Sequence, residues 1–412
     1  MTPLKKLIPS TRRGRLTSLA ILVFAAAVLG VGYVLSGSNK DDEDTSLQGS
    51  TSTPAPRRTV EVSPTNVTPT DTPLPEATEV PPSNTPLPPT SAPSSQPTVA
   101  PATPTTGPAA VNCSAPLQDT INAAAAGASL DLSGCSYNGA IRIDKPLTLV
   151  GGKLTLAADS QWTQGIVVNS DGVTIQGWQI SGGGNVIAVL GRSNVRISNN
   201  TFDGQVGSAI ALWGEGRGSN NVTISGNRIS QTRTSKVSPI IGRASENCSV
   251  FSYNLTVSGN TMDQGQGNLG WFGLELKCHD GVVIQGNTFS GGQTLVSLPD
   301  SRNVTIRANT FNLSGSPYWG VEVPKATNVS IEGNTFNGDG ADGGDHGVSI
   351  NSGSLAVRVV GNNFRNLRTA LDTTGDNITL TDNCLSNVLN LTEYEHPAPY
   401  VNRVEQNNVS CG

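Results

Sequence analysis

The 412-residue chain is organised by a nine-residue phrase that it keeps rewriting, clearest at Asn303 to Phe311 as NVTIRANTF. The final Asn of the phrase, with an apolar residue two places later, falls at Asn200/Phe202, Asn227/Ile229, Asn260/Met262, Asn287/Phe289, Asn309/Phe311, Asn334/Phe336, Asn362/Phe364, Asn383/Leu385 and Asn407/Val409. Successive steps are 27, 33, 27, 22, 25, 28, 21 and 24 residues. A period in the twenties with one short alternating strand per unit builds a solenoid, in which each unit packs only on its neighbours.

Within Asn303 to Asn309, Val304 and Ile306 alternate with Asn303, Thr305 and Arg307, the two-residue beat of a strand buried on one face. Two β-branched residues per strand cannot make a core alone. Stacking the next coil at roughly 4.8 Å gives each strand a parallel neighbour and turns the pairs into a continuous apolar column. Asn at the strand end tolerates a left-handed bend, and its amide can bond the amide above it in a ladder. The Phe or Ile two residues on then points back inside. Leucine-rich repeats share the period but need several Leu per unit and a helical return, and neither occurs here.

With these features the sequence resembles the right-handed parallel β-helix proteins, the pectin-lyase-like superfamily. The resemblance extends upstream, where LQDTINAAAAGASLDLSGCSYNGAIRIDKPLTLVGG, Leu117 to Gly152, looks like that superfamily's amino-terminal cap of a short helix and a first strand. A cap covers strand edges that an open first coil would leave unpaired. The resemblance implies an all-β right-handed parallel β-helix solenoid of about 10–11 coils with an N-terminal helical cap, occupying residues 111–412. It implies no single activity, because this architecture hosts lyases, hydrolases, epimerases and non-catalytic adhesins. Polygalacturonases carry Asn-Thr-Asp, Asp-Asp, Gly-His-Gly and Arg-Ile-Lys, of which only Asp345-His346-Gly347 has a partial counterpart, and a pectate-lyase-like Trp-Ile-Asp-His is absent. No catalytic residue is therefore carried over by resemblance.

Ahead of the solenoid, Lys5, Lys6, Arg12, Arg13 and Arg15 lie in a basic segment, 1–15, followed by an uncharged stretch, 16–37, and then by Asp41, Asp42, Glu43 and Asp44. The stretch is long enough to span a bilayer, and the preceding positive charge puts its start in the cytoplasm and the rest of the chain outside. The alternative is a cleaved signal peptide and a secreted protein, with Ser36 and Ser38 as the small-residue pair. Residues 38–110 form a stalk: 36 of residues 51 to 110 are Pro, Ser or Thr, a composition that cannot bury enough apolar surface to fold. As polyproline II it would reach up to roughly 190 Å.

All six cysteines lie in 111–412 and none forms a CxxC pair, which points away from zinc. Sequence proximity favours Cys113 with Cys135, Cys248 with Cys278 and Cys384 with Cys411, among fifteen possible pairings. The formal charge of −5 argues against a nucleic-acid partner. Triplets such as those at Asn221, Asn303 and Asn328 match glycosylation sequons, but Asn-Val-Thr or Asn-Val-Ser is also simply how a strand begins here.

Counting back from the recurring Asn maps the surface. Twelve residues before Asn287, Asn309 and Asn334 stand Glu275, Ser297 and Glu322; thirteen before Asn362 is Ser349, and eleven before Asn383 is Asp372. Apolar flanks such as Leu274 and Leu276 must face in, so these five should line one outward face. Before them come Trp271 and Phe272, Tyr318 and Trp319, Asp345 and His346, and Arg368. Aromatics two coils apart make a platform about 10 Å long beside carboxylates, which suits sugar rings gripped by apolar contact plus hydrogen bonds. The partner expected is an extracellular polysaccharide. Glu275 and Glu322, with backbones about 9.6 Å apart, could serve as acid and base of an inverting glycosidase, and Asp372, His346 and Lys277 are further catalytic candidates. Lys277, His279 and Arg368 could instead serve a lyase or epimerase. Asp339, Asp342 and Asp345 could hold calcium or simply form a Gly-rich turn. Trp213 and Glu215 could extend the groove or merely close a bend, and Trp178, standing where its coil should have Asn, reads as packing. Two functions stay open: a glycan-binding surface protein, with or without hydrolase or lyase chemistry, and a non-catalytic adhesive or structural spacer.

Overall fold

A computed structural model describes residues 109–157, 160–214, 216–230, 237–265, 272–313, 319–340, 345–393 and 404–411. The expected segments 1–15 and 16–37, and all but the last two residues of 38–110, lie outside these. Among the described residues no helix is long and apolar enough to cross a membrane.

The chain winds as a right-handed parallel β-helix. A representative turn has three strands, Arg302–Arg307, Thr310–Asn312 and Trp319–Val323. First strands stack into a 13-stranded parallel sheet, and second and third strands belong to one of 21 strands. Register is kept residue by residue: Val304 and Ile306 pair with Val329 and Ile331 above and with Val282 and Ile284 below, all buried in one column. About nine turns, from Ser129–Asp131 to His346–Ile350, have three separate strands. This is fewer than the ten to eleven coils expected, because from Asn363–Thr373 onward the second and third strands run together as one.

The recurring Asn is the buried joint between first and second strands. The backbone N–H of Asn309 and its Nδ2 both donate to Oδ1 of Asn334, at 2.9 and 3.0 Å, and Nδ2 also donates to the carbonyl of Ile284 one turn below. The pattern repeats from Asn200 to Asn408. Two details differ from the sequence reading. The left-handed bend falls on the residue before the ladder Asn, which is Gly in most turns but Asn199, Ala308, Asp382 or Asn407 in others. For the same reason the last rung is Asn408, since Asn407 has φ of 53° and occupies the bend. Trp178 packs as expected: its backbone N–H donates to Asn200, and its indole Nε1 donates to the carbonyl of Leu149, where a ladder Asn would donate.

Two residues past the ladder, Phe289, Phe311, Phe336 and Phe364 stack face to face with centroids 4.7–5.1 Å apart. This stack shapes the third strand. A Cβ on Gly320 or Gly347 would lie 2.7 or 2.5 Å from the rings of Phe336 or Phe364, so only glycine lets the strand lie against them. Gly320 and Val321 are then successive inward residues. That break in the two-residue beat lets Trp319 and Glu322, three apart, both face outward.

At the amino-terminal end the helix Leu117–Ala123 buries Leu117 and Ile121, and its Gln118 exchanges two hydrogen bonds with the backbone of Arg142 in the first turn. Cys113 pairs with Cys135, Cys248 with Cys278 and Cys384 with Cys411, as proximity favoured. The sequon residues Asn221 and Asn328 lie in the left-handed region and donate through Nδ2 to Asn194 and Asn303 one turn below, an outer ladder that accounts for their recurrence. His279 is fully buried, so it is not available as a groove base: Nδ1–H donates to the Lys277 carbonyl at 2.9 Å, and Nε2 packs against Gly242 without a hydrogen-bond partner.

Two outcomes are expected. Replacing Asn334 by Ala strands two donors of Asn309 and the carbonyl of Ile306, so urea unfolding should lose about 3 kcal/mol or more, against under about 1 kcal/mol for the outer Asn312→Ala. Burial pushes the His279 imidazole down from 6.5 to about 4. Its contribution is therefore complete above about pH 6.5 and lost as pH falls toward 4, up to about 3 kcal/mol. Asp345, raised by burial to about 7, acts in the opposite sense over this window. The check is the difference in pH slope between wild type and His279→Leu, whatever that variant's constant offset; equal slopes would refute it.

Candidate functional site

The ladder register carries through to the outer face of the third strands. Glu275, Ser297, Glu322, Ser349 and Asp372 are in-register neighbours on five successive turns, as the counting from Asn required. Phe272, Thr294, Trp319, His346 and Thr369 form a second row beside them. Trp271 and Tyr318, along with Glu215 and Asp342, lie outside the described residues.

The row faces outward, as alternation requires, but it is recessed. Glu275, Ser349 and Asp372 are only 5–7% exposed and Ser297 1%. They form the floor of a groove. Half-buried Phe272, Trp319 and His346 line one side, and Arg243, Lys277, Asn351 and Thr374 stand on the other. Toward the carboxyl end a cavity of about 320 Å³ lies between Trp319, Ser349, Asn351 and Asp372. Toward the amino end a larger one, about 550 Å³, is bordered by Trp162, Trp213, Ile241, Arg243 and Glu275. Trp213 thus does extend the groove.

Each acid has its own surroundings. Oε1 of Glu275 accepts from Nη2 and Nε of Arg243 on the preceding turn, at 2.8 and 3.1 Å. Burial holds its carboxyl above the ordinary value, opposed by the Arg243 charge. Lys277 reaches Glu246 at 3.4 Å rather than standing free as a base. Glu322 is held by neutral groups: Ser297 Oγ donates to Oε2 at 2.9 Å and Asn351 Nδ2 to Oε1 at 3.4 Å. Nδ1 of His346 is 3.8 Å from Oδ2 of Asp372. Asp345 is buried beside them; its carboxyl accepts from the Asp339 backbone N–H at 3.3 Å, and its carbonyl accepts from the N–H groups of Arg368 and Thr369. Arg368 itself is exposed at the rim. Among the described residues no cluster of three or more His, Cys, Asp or Glu side chains could hold a metal ion.

The residues that counting missed are Arg243, Glu246, Asn351 and Trp162. Arg243 lies in the turn whose step to the next Asn is 33 residues, where the fixed offset fails; Trp162 lies upstream of the first ladder Asn. Substituting Arg243 by Ala leaves the buried Glu275 charge without its cation. A loss of about 1–3 kcal/mol is expected, largely recovered when Glu275→Gln is added. Unfolding of the single and double variants checks this, and a double variant no more stable than Arg243→Ala would contradict it.

No curated protein sequence matches this chain. Among solved structures, it is similar to PfbA, a surface adhesin of Streptococcus pneumoniae, with TM-score 0.50 and 14% identity over 66% of this chain and 81% of that one. The DFA-IIIase of Arthrobacter chlorophenolicus A6 without its lid matches at TM-score 0.49 and 15% identity, over 71% and 89% of the two chains. An alginate lyase from Paenibacillus sp. str. FPU-7 matches at 0.46 and 13%, over 71% and 96%. At such identities the likeness speaks to fold alone. The family profile described as the right-handed β-helix region matches residues 164–336 and 252–390, more than half the chain. The chain belongs to the right-handed β-helix family.

Proposed function

We propose that the third-strand groove binds an extracellular glycan laid along the solenoid axis. One observation carries the reading: aromatic and imidazole side chains occupy one row, Phe272, Trp319 and His346, while carboxylates and serines occupy the parallel row beside it. Flat apolar faces next to hydrogen-bonding groups fit the two sides of a sugar ring. A rigid spacer needs no such row. In this reading Trp271, Tyr318, Asp345 and Arg368 also contribute to substrate binding, the helix Leu117–Ala123 caps the solenoid, residues 16–37 anchor the chain in a membrane, and residues 38–110 are the stalk between the two.

Cleavage is the second reading, favoured by acids placed two turns apart. Glu275 and Glu322, and Glu322 and Asp372, have backbones about 9.6 Å apart, from which carboxyls reach the spacing of an inverting pair. Burial raises the Glu275 carboxyl, in the direction a proton donor needs, while Glu322 would activate water. His346 and Lys277 would assist from the groove walls.

The test is retention of the full chain on gels containing polysaccharides, with reducing-end release followed in parallel. Trp319→Ala should lower retention by about tenfold, roughly 1.4 kcal/mol, measured well below the variant's own melting temperature so that loss of this half-buried ring's packing is not read as loss of binding. Retention unchanged in that variant would refute the groove. Product formation abolished by Glu322→Gln would support cleavage, and binding without product would leave a binding surface.

A further inference from the structure

The charge of the groove narrows what it can hold, an inference that rests on the glycan-binding reading above. Its cations are engaged by its own acids. Arg243 is bonded to Glu275 at 2.8 Å and lies 3.9 Å from Glu246, and Lys277 is 3.4 Å from Glu246. Among the described residues of the carboxyl-terminal half, the base facing the floor is His346, 3.8 Å from Asp372. Arg368 is exposed at the rim, on the turn that also carries Asp372. Glu322 has two hydrogen-bond donors, Ser297 and Asn351, and both are neutral, so its position is fixed while its charge is not cancelled.

A carboxylate in this setting accepts hydrogen bonds from sugar hydroxyls, which bring a proton and no charge. A uronate carboxylate brings no proton and a like charge, in a recess where solvent screening is weak. Each turn advances about 4.8 Å, so a polyuronide lying along the groove would set charges over both Glu322 and Asp372. We propose that the groove takes an uncharged glycan and excludes polyuronides, and that Glu322 is the residue that enforces the exclusion.

Isogenic probes test charge alone. Galactan, mannan and a mixed-linkage β-glucan are each compared with the same polymer after its primary alcohols are oxidised to carboxylates, with polygalacturonate and alginate alongside, at low salt with a chelator. The full chain in detergent should be retained by at least one neutral polymer, less by its oxidised form by about tenfold or more, and by neither natural polyuronide. Glu322→Lys should gain retention on the oxidised polymer and on polygalacturonate. Equal or stronger retention of wild type on a carboxylated polymer, abolished by Trp319→Ala, would overturn the charge inference and leave the groove standing. No gain in Glu322→Lys would remove Glu322 from the role. Retention on no polymer would overturn the groove reading and this inference together.

Discussion

The fold depends on one buried column of asparagine amides. Each rung gives both amide hydrogens and its backbone N–H to neighbouring turns, and its carbonyl oxygen receives two bonds from the rung below. A buried amide is stabilising only when all of these are made, so a rung is tolerated only where another rung lies directly above or below it. The ladder therefore fixes the start of every second strand to the same height and azimuth, whatever the chain does elsewhere. Steps of 21 to 33 residues are accommodated without loss of register because the extra residues leave and rejoin between fixed points. At its first rung the column ends on the buried Trp178, whose indole makes the donation to the preceding turn's carbonyl that an Asn would make.

Everything outward inherits that register. Apolar stacking of Phe289, Phe311, Phe336 and Phe364 presses against the third strands, glycine at 320 and 347 admits the rings, and the local break in alternation turns two rows outward where strict alternation would give one. The groove is thus a consequence of core packing. Its carboxylates are recessed because the row beside them is bulky, and recession changes their chemistry. A carboxylate with little water must take its hydrogen bonds from the protein, as Glu275 does from Arg243 and Glu322 from Ser297.

Much of this was legible in the residues. Period, strand beat and ladder all follow from the phrase at Asn303 to Phe311, and counting back from Asn287, Asn309, Asn334, Asn362 and Asn383 put five outward side chains in their true register. The three disulfides are the pairs that sequence proximity favoured among fifteen possible. What counting could not supply was anything set by a neighbouring turn across an irregular insertion. The buried Glu275 is paired with Arg243, which lies 32 residues earlier, within the long step from Asn227 to Asn260. Nor could alternation show which side of a bend a left-handed residue takes: Asn407 and Asn408 are the same residue type, and only the backbone distinguishes bend from rung. His279 is among the candidate groups for a lyase or epimerase, but the left-handed backbone at Cys278, with φ of 59°, precedes a side chain buried in the core.

The outer row also changes character along the axis while the backbone does not. Upstream of Glu275 the same register positions are Ala188, Ala211 and Ile241, and downstream they alternate acid and serine to Asp372. The boundary is where the Cys248–Cys278 disulfide ties the Glu246 loop to the end of the Phe272–Lys277 strand. That tie keeps Glu246 beside Arg243 and Lys277, and so keeps both cations occupied at the upstream end. Further along, Glu322 is held by the neutral donors Ser297 and Asn351, and Asp372 lies beside His346. A covalent link outside the groove thereby helps set the sign of the charge within it, which is a property of how turns are stapled rather than of any single residue on the floor.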